Sequence, residues 1–290
     1  MVVQLHGLCK AFGHKKVLED VNFSLEAGKF YAILGRNGVG KSSVLKILMR
    51  MELRDKGTIK IFGEDIDVDS VTLNDHIGYI SEGLTFGTWQ SLKYFFKNYA
   101  SIYKRWDKQL FYDLLSIQQV DLNDRFENLS RGQKIQVALS AALAIHPKLL
   151  LLDEVTSVLD ASARLYFISH LGKFCKAGGT ILMATNIVSE VQHFAEHIII
   201  LQNRKIKLDS PVHNLSNSYV KLRRTPNNEF KIPCQAHYVE VGVNSDNTIS
   251  FLIPIEDKQK YEMDGIYPDS RNITIEDLFV YYTRNEEVVL

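Results

Sequence analysis

Cysteine is scarce in this chain. The three cysteines among 290 residues, Cys9, Cys175 and Cys234, are odd in number and far apart. The sequence has no Cys-x-x-Cys pair and no Cys/His spacing of the kind that ligates zinc. A disulfide framework and a zinc centre are therefore excluded, and we interpret the cysteines as isolated thiols in a reducing compartment.

The chain also lacks an excess of either charge. Lys+Arg and Asp+Glu both total 34, so the formal net charge is zero. A general nucleic-acid binder is basic overall or carries a basic stripe. The densest basic cluster consists of Lys221, Arg223 and Arg224, and we interpret it as a solvated face. No nucleic-acid partner is therefore expected.

Long hydrophobic runs are absent as well. The apolar stretches 137–145 and 149–152 are well short of the ~20 residues that a membrane-spanning helix needs. The residues after Met1 show no charged segment followed by an apolar one, so no signal peptide is expected. We expect a cytoplasmic protein, and any membrane process that it serves requires another chain to supply the membrane part.

What the sequence does contain is an alternation of strands and helices. Period-two patterns and short apolar runs predict strands, whereas apolar residues three to four apart predict helices. The predicted strands are residues 2–8, 21–25, 30–34, 58–62, 77–80, 149–152, 180–184 and 197–201. The predicted helices are residues 41–51, 130–145, 161–175 and 188–194. This alternation predicts an α/β fold with a mostly parallel sheet flanked by helices.

Two segments depart from the alternation. From about residue 88 to residue 145, aromatic and aliphatic residues follow a helical period, which predicts a helical insert subdomain. After residue 213, short apolar segments at 239–243 and 249–255 and a helical pattern at 275–282 predict a small α+β appendage. We therefore expect one unit at residues 1–213 and a smaller one at residues 214–290.

A glycine-rich loop joins the predicted strand 30–34 to the following helix. It reads Gly35-Arg36-Asn37-Gly38-Val39-Gly40-Lys41-Ser42, with Ser43 next, and fits the phosphate-loop pattern G-x-x-x-x-G-K-[ST]. Glycines let backbone N–H groups approach phosphate oxygens, and the helix N-terminus adds about half a positive charge. Lys41 supplies a charge to the β- and γ-phosphates, and Ser42 supplies a hydroxyl ligand for Mg²⁺. The strand-loop-helix context disfavours a glycine turn without a ligand, so the loop predicts a P-loop NTPase.

A pair of carboxylates follows a second apolar strand. Asp153 and Glu154 come directly after four leucines at residues 149–152. In open α/β sheets, ligands bind at the carboxyl ends of the strands. Asp153 is suited to hold Mg²⁺, and Glu154 is suited to orient and deprotonate the attacking water as a general base. An acidic pair after a strand is common by itself, and its position behind a phosphate loop gives it weight.

The segment Leu129-Ser130-Arg131-Gly132-Gln133 admits two interpretations. Ser130 and Gln133 form an S-x-x-Q capping box, which is an ordinary helix start. However, the order of glycine loop, helical insert, Leu-Ser-x-Gly-Gln and acidic pair about twenty residues on resembles the ATP-binding cassette (ABC) family across residues 1–213. The resemblance implies that Ser130, Gly132 and Gln133 contact the γ-phosphate of ATP held on an opposite subunit. Arg131 stands where many relatives have glycine.

The resemblance implies roles for three further residues. Phe12, just before Gly13, is expected to stack on adenine, although a lone phenylalanine also suits core packing. Asp160 is expected in the loop that crosses the dimer interface, where Val158 replaces the usual glycine. Glu82 occupies the place of the glutamine that senses Mg²⁺ and contacts the membrane partner, and it is also an oxygen ligand.

Two departures from the family pattern bear on turnover. Val155 replaces the usual proline after the catalytic glutamate, and Asn186 replaces the histidine that contacts the γ-phosphate. An imidazole can carry charge or shuttle a proton near neutral pH, whereas an amide only donates and accepts hydrogen bonds. We therefore hypothesise that hydrolysis at this subunit's own site is slow, or that two unlike subunits share the work.

As a whole, the resemblance implies an ATP-binding subunit of a transporter, with Glu154 and Asn186 at the catalytic site and ATP and Mg²⁺ as ligands. It implies a second ABC subunit, identical or related, and a separate integral membrane permease that holds the pair at the inner face of the cell membrane. Residues 274–279 resemble the ending of export-type systems, although an amphipathic helix with a capping-box start explains them equally. A non-transport ABC ATPase and a regulatory module with negligible turnover stay open as alternatives.

Overall fold

The computed structural model describes residues 1–67, 71–83, 91–116, 120–157, 159–224, 239–244, 248–261 and 266–284. In chain order, the strands are β1 (Val3–Phe12), β2 (Lys15–Leu25), β3 (Phe30–Leu34), β4 (Lys56–Ile61), β5 (Glu64–Asp65), β6 (Ile77–Ser81), β7 (Leu149–Asp153), β8 (Thr180–Thr185), β9 (His197–Gln202), β10 (Lys205–Pro211), β11 (Tyr219–Arg224), β12 (Val239–Val243), β13 (Ile249–Pro254) and β14 (Ile266–Pro268). The helices are α1 (Lys41–Leu48), α2 (Val71–Asn74), α3 (Leu92–Ile102), α4 (Lys108–Ser116), α5 (Arg131–Ala144), α6 (Ala161–Lys176), α7 (Leu215–Ser218) and α8 (Ile275–Arg284). None of the helices in these ranges has the length and apolar character that crossing a bilayer requires.

The largest sheet brings the carboxyl ends of the parallel strands to one edge. Its six strands have the order β10-β9-β3-β8-β7-β6, and all are parallel except β10, which runs antiparallel to β9. Every residue of β3, β7 and β8 is buried, as expected for strands covered on both faces. Helix α1 packs on β7 and β8, α5 packs on β6, and α6 packs on β8. The predicted mostly parallel sheet flanked by helices is therefore confirmed.

The N-terminal strands form a second sheet with the order β2-β1-β4-β5, and its strand pairs are antiparallel. Val21, Phe23 and Leu25 alternate with polar residues along β2 and are buried. The buried side of this sheet shares one hydrophobic cluster with α1 and with residues of the parallel sheet. The sequence predicted strands at β1, β2 and β4, and the structure adds β5 and shows that the four form a sheet of their own.

Helices α3, α4 and part of α5 form the helical insert. They enclose a separate hydrophobic cluster that includes Leu92, Phe96, Phe111, Leu115 and Val137. Aromatic rings fill much of it, with the Phe96 and Phe111 ring centroids 4.5 Å apart. The prediction of a helical insert is confirmed for the described part of the segment, whereas residues 84–90 and 117–119 lie outside it.

The predicted helix at residues 188–194 is wrong. The structure has a 3₁₀ helix, Val188–Glu190, followed by turns. The backbone N–H groups of Glu190 and Val191 each bond to the carbonyl three residues earlier. Bonds to the carbonyl four residues earlier occur singly, from Gln192 to Val188 and from Ala195 to Val191, and do not form a continuous α-helical ladder. The side chain of Glu190 turns inward to Thr185, and this tertiary contact outweighs the helical pattern of the sequence.

The C-terminal residues form the predicted α+β arrangement, with the antiparallel sheet β12-β13-β11-β14 and helix α8. Helix α8 packs on β9 and on the 3₁₀ helix Val188–Glu190. The interpretation of the basic cluster at residues 221–224 as a solvated face is wrong. The Lys221 side chain is only 10% exposed and lies 2.8 Å from Asp277 Oδ1, and Arg224 donates to Glu240. These charges form ion pairs inside the appendage.

Candidate active site at the carboxyl edge of the parallel sheet

At three positions of the glycine loop, residues 35–40, the backbone conformation or the available space favours glycine. Gly38 and Gly40 have φ angles of 76° and 114°, which L side chains rarely adopt. A Cβ on Gly35 would lie 2.5 Å from the carbonyl oxygen of Leu201. Gly40 is also the N-cap residue of α1, and it has no side chain that could cap the helix. The first N–H groups of α1 therefore lack a side-chain acceptor at the loop, which suits an anionic ligand.

Lys41 is buried between the glycine loop and Glu154. Its side chain is 2% exposed, and its Nζ donates to the carbonyl oxygens of Gly35 at 2.9 Å and Arg36 at 3.2 Å. Its Nζ also lies 3.3 Å from Glu154 Oε1. The ammonium group thus stands between the loop and the carboxylate that follows β7.

Ser42 and Asp153 are paired at the same edge. The Ser42 hydroxyl donates to Asp153 Oδ1 at 2.8 Å, and the Tyr79 hydroxyl lies 3.5 Å from Asp153 Oδ2. Burial raises the pKa of the Asp153 carboxyl, with the neighbouring Glu154 adding to the rise, while the Ser42 hydrogen bond opposes it. Burial likewise raises the pKa of the Tyr79 phenol. A buried carboxyl next to a hydroxyl is a pair of hard oxygen donors.

Glu154 adopts a backbone conformation that is uncommon for its residue type. Its φ angle is 53°, and its N–H donates to the carbonyl oxygen of Ala184 at 2.9 Å. The next residue, Val155, is fully buried, so the chain turns sharply back into the core after Glu154. The Glu154 side chain stays about one third exposed and reaches Lys41.

A cleft of about 500 Å³ lies beside Ser42, Asp153 and Glu154. Its lining residues are Ser42, Lys46, Met51, Tyr79, Ser81, Glu82, Gly83, Asp153 and Glu154. Glu82 donates its backbone N–H to the carbonyl oxygen of Asp153, and its carboxylate lies 3.6 Å from Arg131 Nη1. Tyr79 was not predicted, because only the order of β6 and β7 brings it to the site. Lys46 was not predicted either, although it lies on α1 one helical turn after Ser42.

The segment that begins α5 has the predicted capping box. Gln133 N donates to Ser130 Oγ at 3.2 Å, and Ser130 N donates to Gln133 Oε1 at 3.0 Å. Ser130 and Arg131 are exposed, and Gly132 and Gln133 are half-buried. These residues lie at the start of a helix of the insert, and Arg131 reaches Glu82 on the cleft.

Three predicted site residues lie at other ends of elements. Asp160 caps α6, where its Oδ1 accepts the N–H of Ala163 at 2.8 Å. Val158, next to it, lies outside the described residues. Phe12 ends β1 with 48% of its surface exposed, and Lys10 Nζ is 4.9 Å from its ring centroid, so it is not a core residue. Asn186 follows β8 and is half-buried, and Ser43 is half-buried in α1.

Comparison with known proteins points to the same family as the sequence motifs. Residues 18–157 match the family model described as ABC transporter. The sulfate/thiosulfate import ATP-binding protein CysA of Vibrio vulnificus is 31% identical over 268 residues, which cover 87% of this chain and 73% of that protein. The chain belongs to the ABC transporter family. It is an ATP-binding, ATP-hydrolysing subunit of that family.

Other relatives of this ABC subunit differ in their named function. The Nod factor export ATP-binding protein I of a Rhizobium species is 28% identical over 296 residues, covering 99% of this chain and 88% of that protein. An ATP-binding subunit of an ABC transporter superposes with a TM-score of 0.68 at 22% identity, over 75% of this chain and 92% of that one. A dimeric ATP-binding cassette bound to ADP and Pi gives 0.64 at 23% identity, over 72% and 98%. The structural likeness supports the same fold.

Proposed function

We propose that this ABC subunit binds MgATP between two such subunits and hydrolyses it to drive a separate membrane permease. The observation that carries the proposal is the arrangement at the mouth of the glycine loop. Lys41 is buried between the loop carbonyls and Glu154, and Ser42 is paired with Asp153. The anion site consists of the Lys41 ammonium, the N–H groups of the glycine loop and the uncapped start of α1. Glu154, the proposed general base, lies beside it.

Each residue of the glycine loop has a defined task in this proposal. The backbone of residues 35–40 surrounds the phosphates, and Ser43 extends the N-terminal turn of α1 with a second hydroxyl. Lys41 exchanges its contacts with Gly35, Arg36 and Glu154 for the β- and γ-phosphates, which frees the Glu154 carboxylate to orient water. Phe12, exposed at the end of β1, offers its ring to the adenine base.

The residues beside the loop also fit a magnesium ion. Mg²⁺ prefers oxygen ligands and is bound by one or two protein groups together with phosphates. Ser42 Oγ and Asp153 Oδ1 are 2.8 Å apart, and burial raises the pKa of the Asp153 carboxyl, which a cation would reverse. Glu82 lies on the same cleft and is the third proposed ligand. A bound Mg²⁺ would neutralise charge that develops on the phosphates.

The start of α5 offers a second set of anion-binding groups, which we assign to an ATP held by another subunit. We propose that Ser130, Gly132 and Gln133 bind the γ-phosphate held by the opposite subunit, and that Asp160 lies at the same interface. The N–H groups at a helix N-terminus attract anions, and the capping box fixes their direction. The dimeric cassette of the same fold is consistent with such a pair.

We further propose that Asn186 limits turnover. Asn186 follows Thr185, which pairs with Leu34 at the end of β3, and Ala184 accepts the N–H of Glu154. An amide at this place can hold a γ-phosphate oxygen but cannot move a proton. Slow hydrolysis, or pairing with an unlike subunit that supplies a histidine, follows from this substitution.

The partner and location follow from the family. We propose an integral membrane permease as partner and a position at the inner face of the cell membrane. A groove of about 340 Å³ in the helical insert combines an aromatic floor with lysines and suits an acidic, partly apolar segment of that permease. The groove is lined by Lys93, Phe96, Lys97, Ala100, Trp106, Lys108, Phe111 and Tyr112. Because the named relatives include import and export proteins, export rests on the ending at residues 274–279 alone.

We also propose that residues 1–213 are the ABC domain, with the insert at about 88–145, and that residues 214–290 are a C-terminal domain. Leu215 and Tyr219 lie in the same hydrophobic cluster as Leu34 and Ile200 of the parallel sheet. The two domains therefore share a core and are expected to act together.

Phosphate release by the purified chain tests the proposal. The wild type should hydrolyse MgATP, whereas Lys41→Ala should neither bind nor hydrolyse it. Asn186→His should raise the steady-state rate, by about a hundredfold if the imidazole contributes at the low end of the range for a general acid or base. No turnover in a wild type that binds ATP would favour the regulatory module, and an unchanged rate in Asn186→His would remove the role of Asn186.

A further inference from the structure

A carboxylate outside the motifs is buried close to the proposed site. Glu190, in the 3₁₀ helix Val188–Glu190, is only 2% exposed. Its Oε2 accepts a hydrogen bond from the Thr185 hydroxyl at 2.7 Å, while its buried Oε1 has no hydrogen-bond partner among the residues that the structure describes. Burying a carboxylate with one unsatisfied oxygen is unfavourable, so its presence in a folded protein calls for an explanation.

The hydrogen bonds of Glu190 enclose the loop that carries Asn186. Thr185 Oγ1 donates to Glu190 and at the same time accepts the backbone N–H of Ile187 at 3.0 Å. Asn186 is the residue between these two bonded positions. The Thr185 hydroxyl has one proton, and because Glu190 accepts it, the hydroxyl oxygen is turned toward Ile187. The carboxylate therefore fixes the turn through the hydroxyl.

The same turn is tied to the proposed general base. Ala184, one residue before Thr185, pairs with Asp153 and accepts the N–H of Glu154 at 2.9 Å. From the other side, Val188 and Val191 lie in the hydrophobic cluster that includes Leu278 and Tyr281 of α8. The position of Asn186 relative to Glu154 is thus set by β8 on one side and by the Glu190 bonds on the other.

We propose that Glu190 is the positioning residue of the Asn186 loop. Its carboxylate orients the Thr185 hydroxyl, the hydroxyl binds the Ile187 N–H, and the closed turn holds the Asn186 amide beside Glu154. This inference rests on the proposed function, since it assigns Asn186 to the γ-phosphate. Because Glu190 is buried and bonds to Thr185, we assign it no contact with the nucleotide, and the inference concerns the rate of hydrolysis and not the affinity for ATP.

Paired substitutions test the inference in the full chain. Thr185→Val keeps the shape and removes the hydroxyl, whereas Thr185→Ser keeps the hydroxyl. Single-turnover hydrolysis should fall about tenfold in Thr185→Val, with the Kd for ATP within about twofold, because small misplacements of catalytic groups slow chemistry strongly. Thr185→Ser, in contrast, should hydrolyse ATP at a rate near that of the wild type. Glu190→Gln, which retains an acceptor, should stay near wild type, and Glu190→Met should behave like Thr185→Val.

The control is the same substitution in an Asn186→Ala background. If the hydroxyl acts through Asn186, Thr185→Val should there lower the rate by less than about twofold, because coupled residues are not additive. An equal loss in both backgrounds, or equal rates for Glu190→Gln and Glu190→Met, would overturn the inference. A wild type that does not hydrolyse MgATP would instead contradict the proposed function, so the two failures are distinguishable.

Discussion

Asp153 lowers the stability of the chain that carries it. Burial raises the pKa of its carboxyl above the ordinary value, so the folded chain holds this proton more tightly than the unfolded chain does. By linkage, the free energy of unfolding falls as the pH rises from about 3.9, the unfolded pKa, through the raised folded pKa. Above that value the loss is constant. A group that destabilises the free protein at neutral pH is typical of a site built for a ligand.

We therefore expect Asp153→Asn to stabilise the nucleotide-free chain at pH 7 by about 1 kcal/mol, a rise in Tm of about 2 °C. The neutral amide avoids the desolvation of a carboxylate and still accepts the Ser42 hydrogen bond. The gain should vanish only about one pH unit below the unfolded pKa of about 3.9, where Asp153 is protonated in both states. Thermal unfolding between about pH 3 and pH 8 measures it, with the exposed Asp113→Asn as control, and a lower Tm at pH 7 would contradict the account of Asp153.

At the scale of elements, the start of α5 combines a structural and a proposed functional task. Ser130 and Gln133 satisfy N–H groups of each other reciprocally, which is a complete capping box. A substitution that removes the cap would therefore confuse helix stability with nucleotide binding. The two tasks can be separated. Capping the helix needs only an oxygen acceptor at residue 130, whereas a negatively charged side chain there would repel a phosphate.

We expect Ser130→Ala to destabilise the chain by about 1 kcal/mol and Ser130→Asp to leave it nearly unchanged, since aspartate is an equally good N-cap. ATP-dependent association should nevertheless be lost in Ser130→Asp, because its carboxylate faces the incoming γ-phosphate, and retained in Ser130→Thr. Thermal unfolding and analytical ultracentrifugation with MgATP give both readouts. Association of Ser130→Asp at wild-type ATP concentrations would argue that this helix start does not meet a phosphate.

The elements that could be predicted from the sequence are those with a strong local pattern. The apolar run of β7 and the glycines before Lys41 specify their own conformations, and the pairing of Lys41 and Ser42 with Glu154 and Asp153 then follows from the meeting of strand ends. The 3₁₀ helix Val188–Glu190 was not predictable, because its shape depends on the contact between Glu190 and Thr185. Tyr79 was missed because only the order of β6 and β7 brings it to Asp153.

For the whole molecule, an ion pair inside the appendage joins two elements that are distant in sequence. Lys221 in β11 donates to both carboxylate oxygens of Asp277 in α8, 56 residues away. Asp277 also accepts the N–H of Thr274 and so caps α8. Helix α8 in turn packs against β9 and the 3₁₀ helix that contains Glu190. The ion pair therefore supports the contact between the appendage and the ABC domain.

Removing one partner of this buried pair should be strongly destabilising. We expect Lys221→Met to lower the free energy of unfolding by about 3 kcal/mol, because Asp277 is left buried without its cation. Lys221→Met combined with Asp277→Asn should recover most of the loss, since the amide still accepts from Thr274. Chemical denaturation measures both variants. A double variant no more stable than Lys221→Met would show that the ion pair is not the cause.

The central proposal is that one ATP is bound from two sides, by the glycine loop of one subunit and the serine-led helix of another. Glu154→Gln should keep ATP binding and prevent its hydrolysis, so the closed pair should persist. Size-exclusion chromatography with light scattering measures this directly, with Glu154→Gln/Lys41→Ala as control. We expect a dimer of Glu154→Gln with MgATP, and monomers without nucleotide and in the control. A Glu154→Gln chain that binds MgATP and stays monomeric would contradict the proposal.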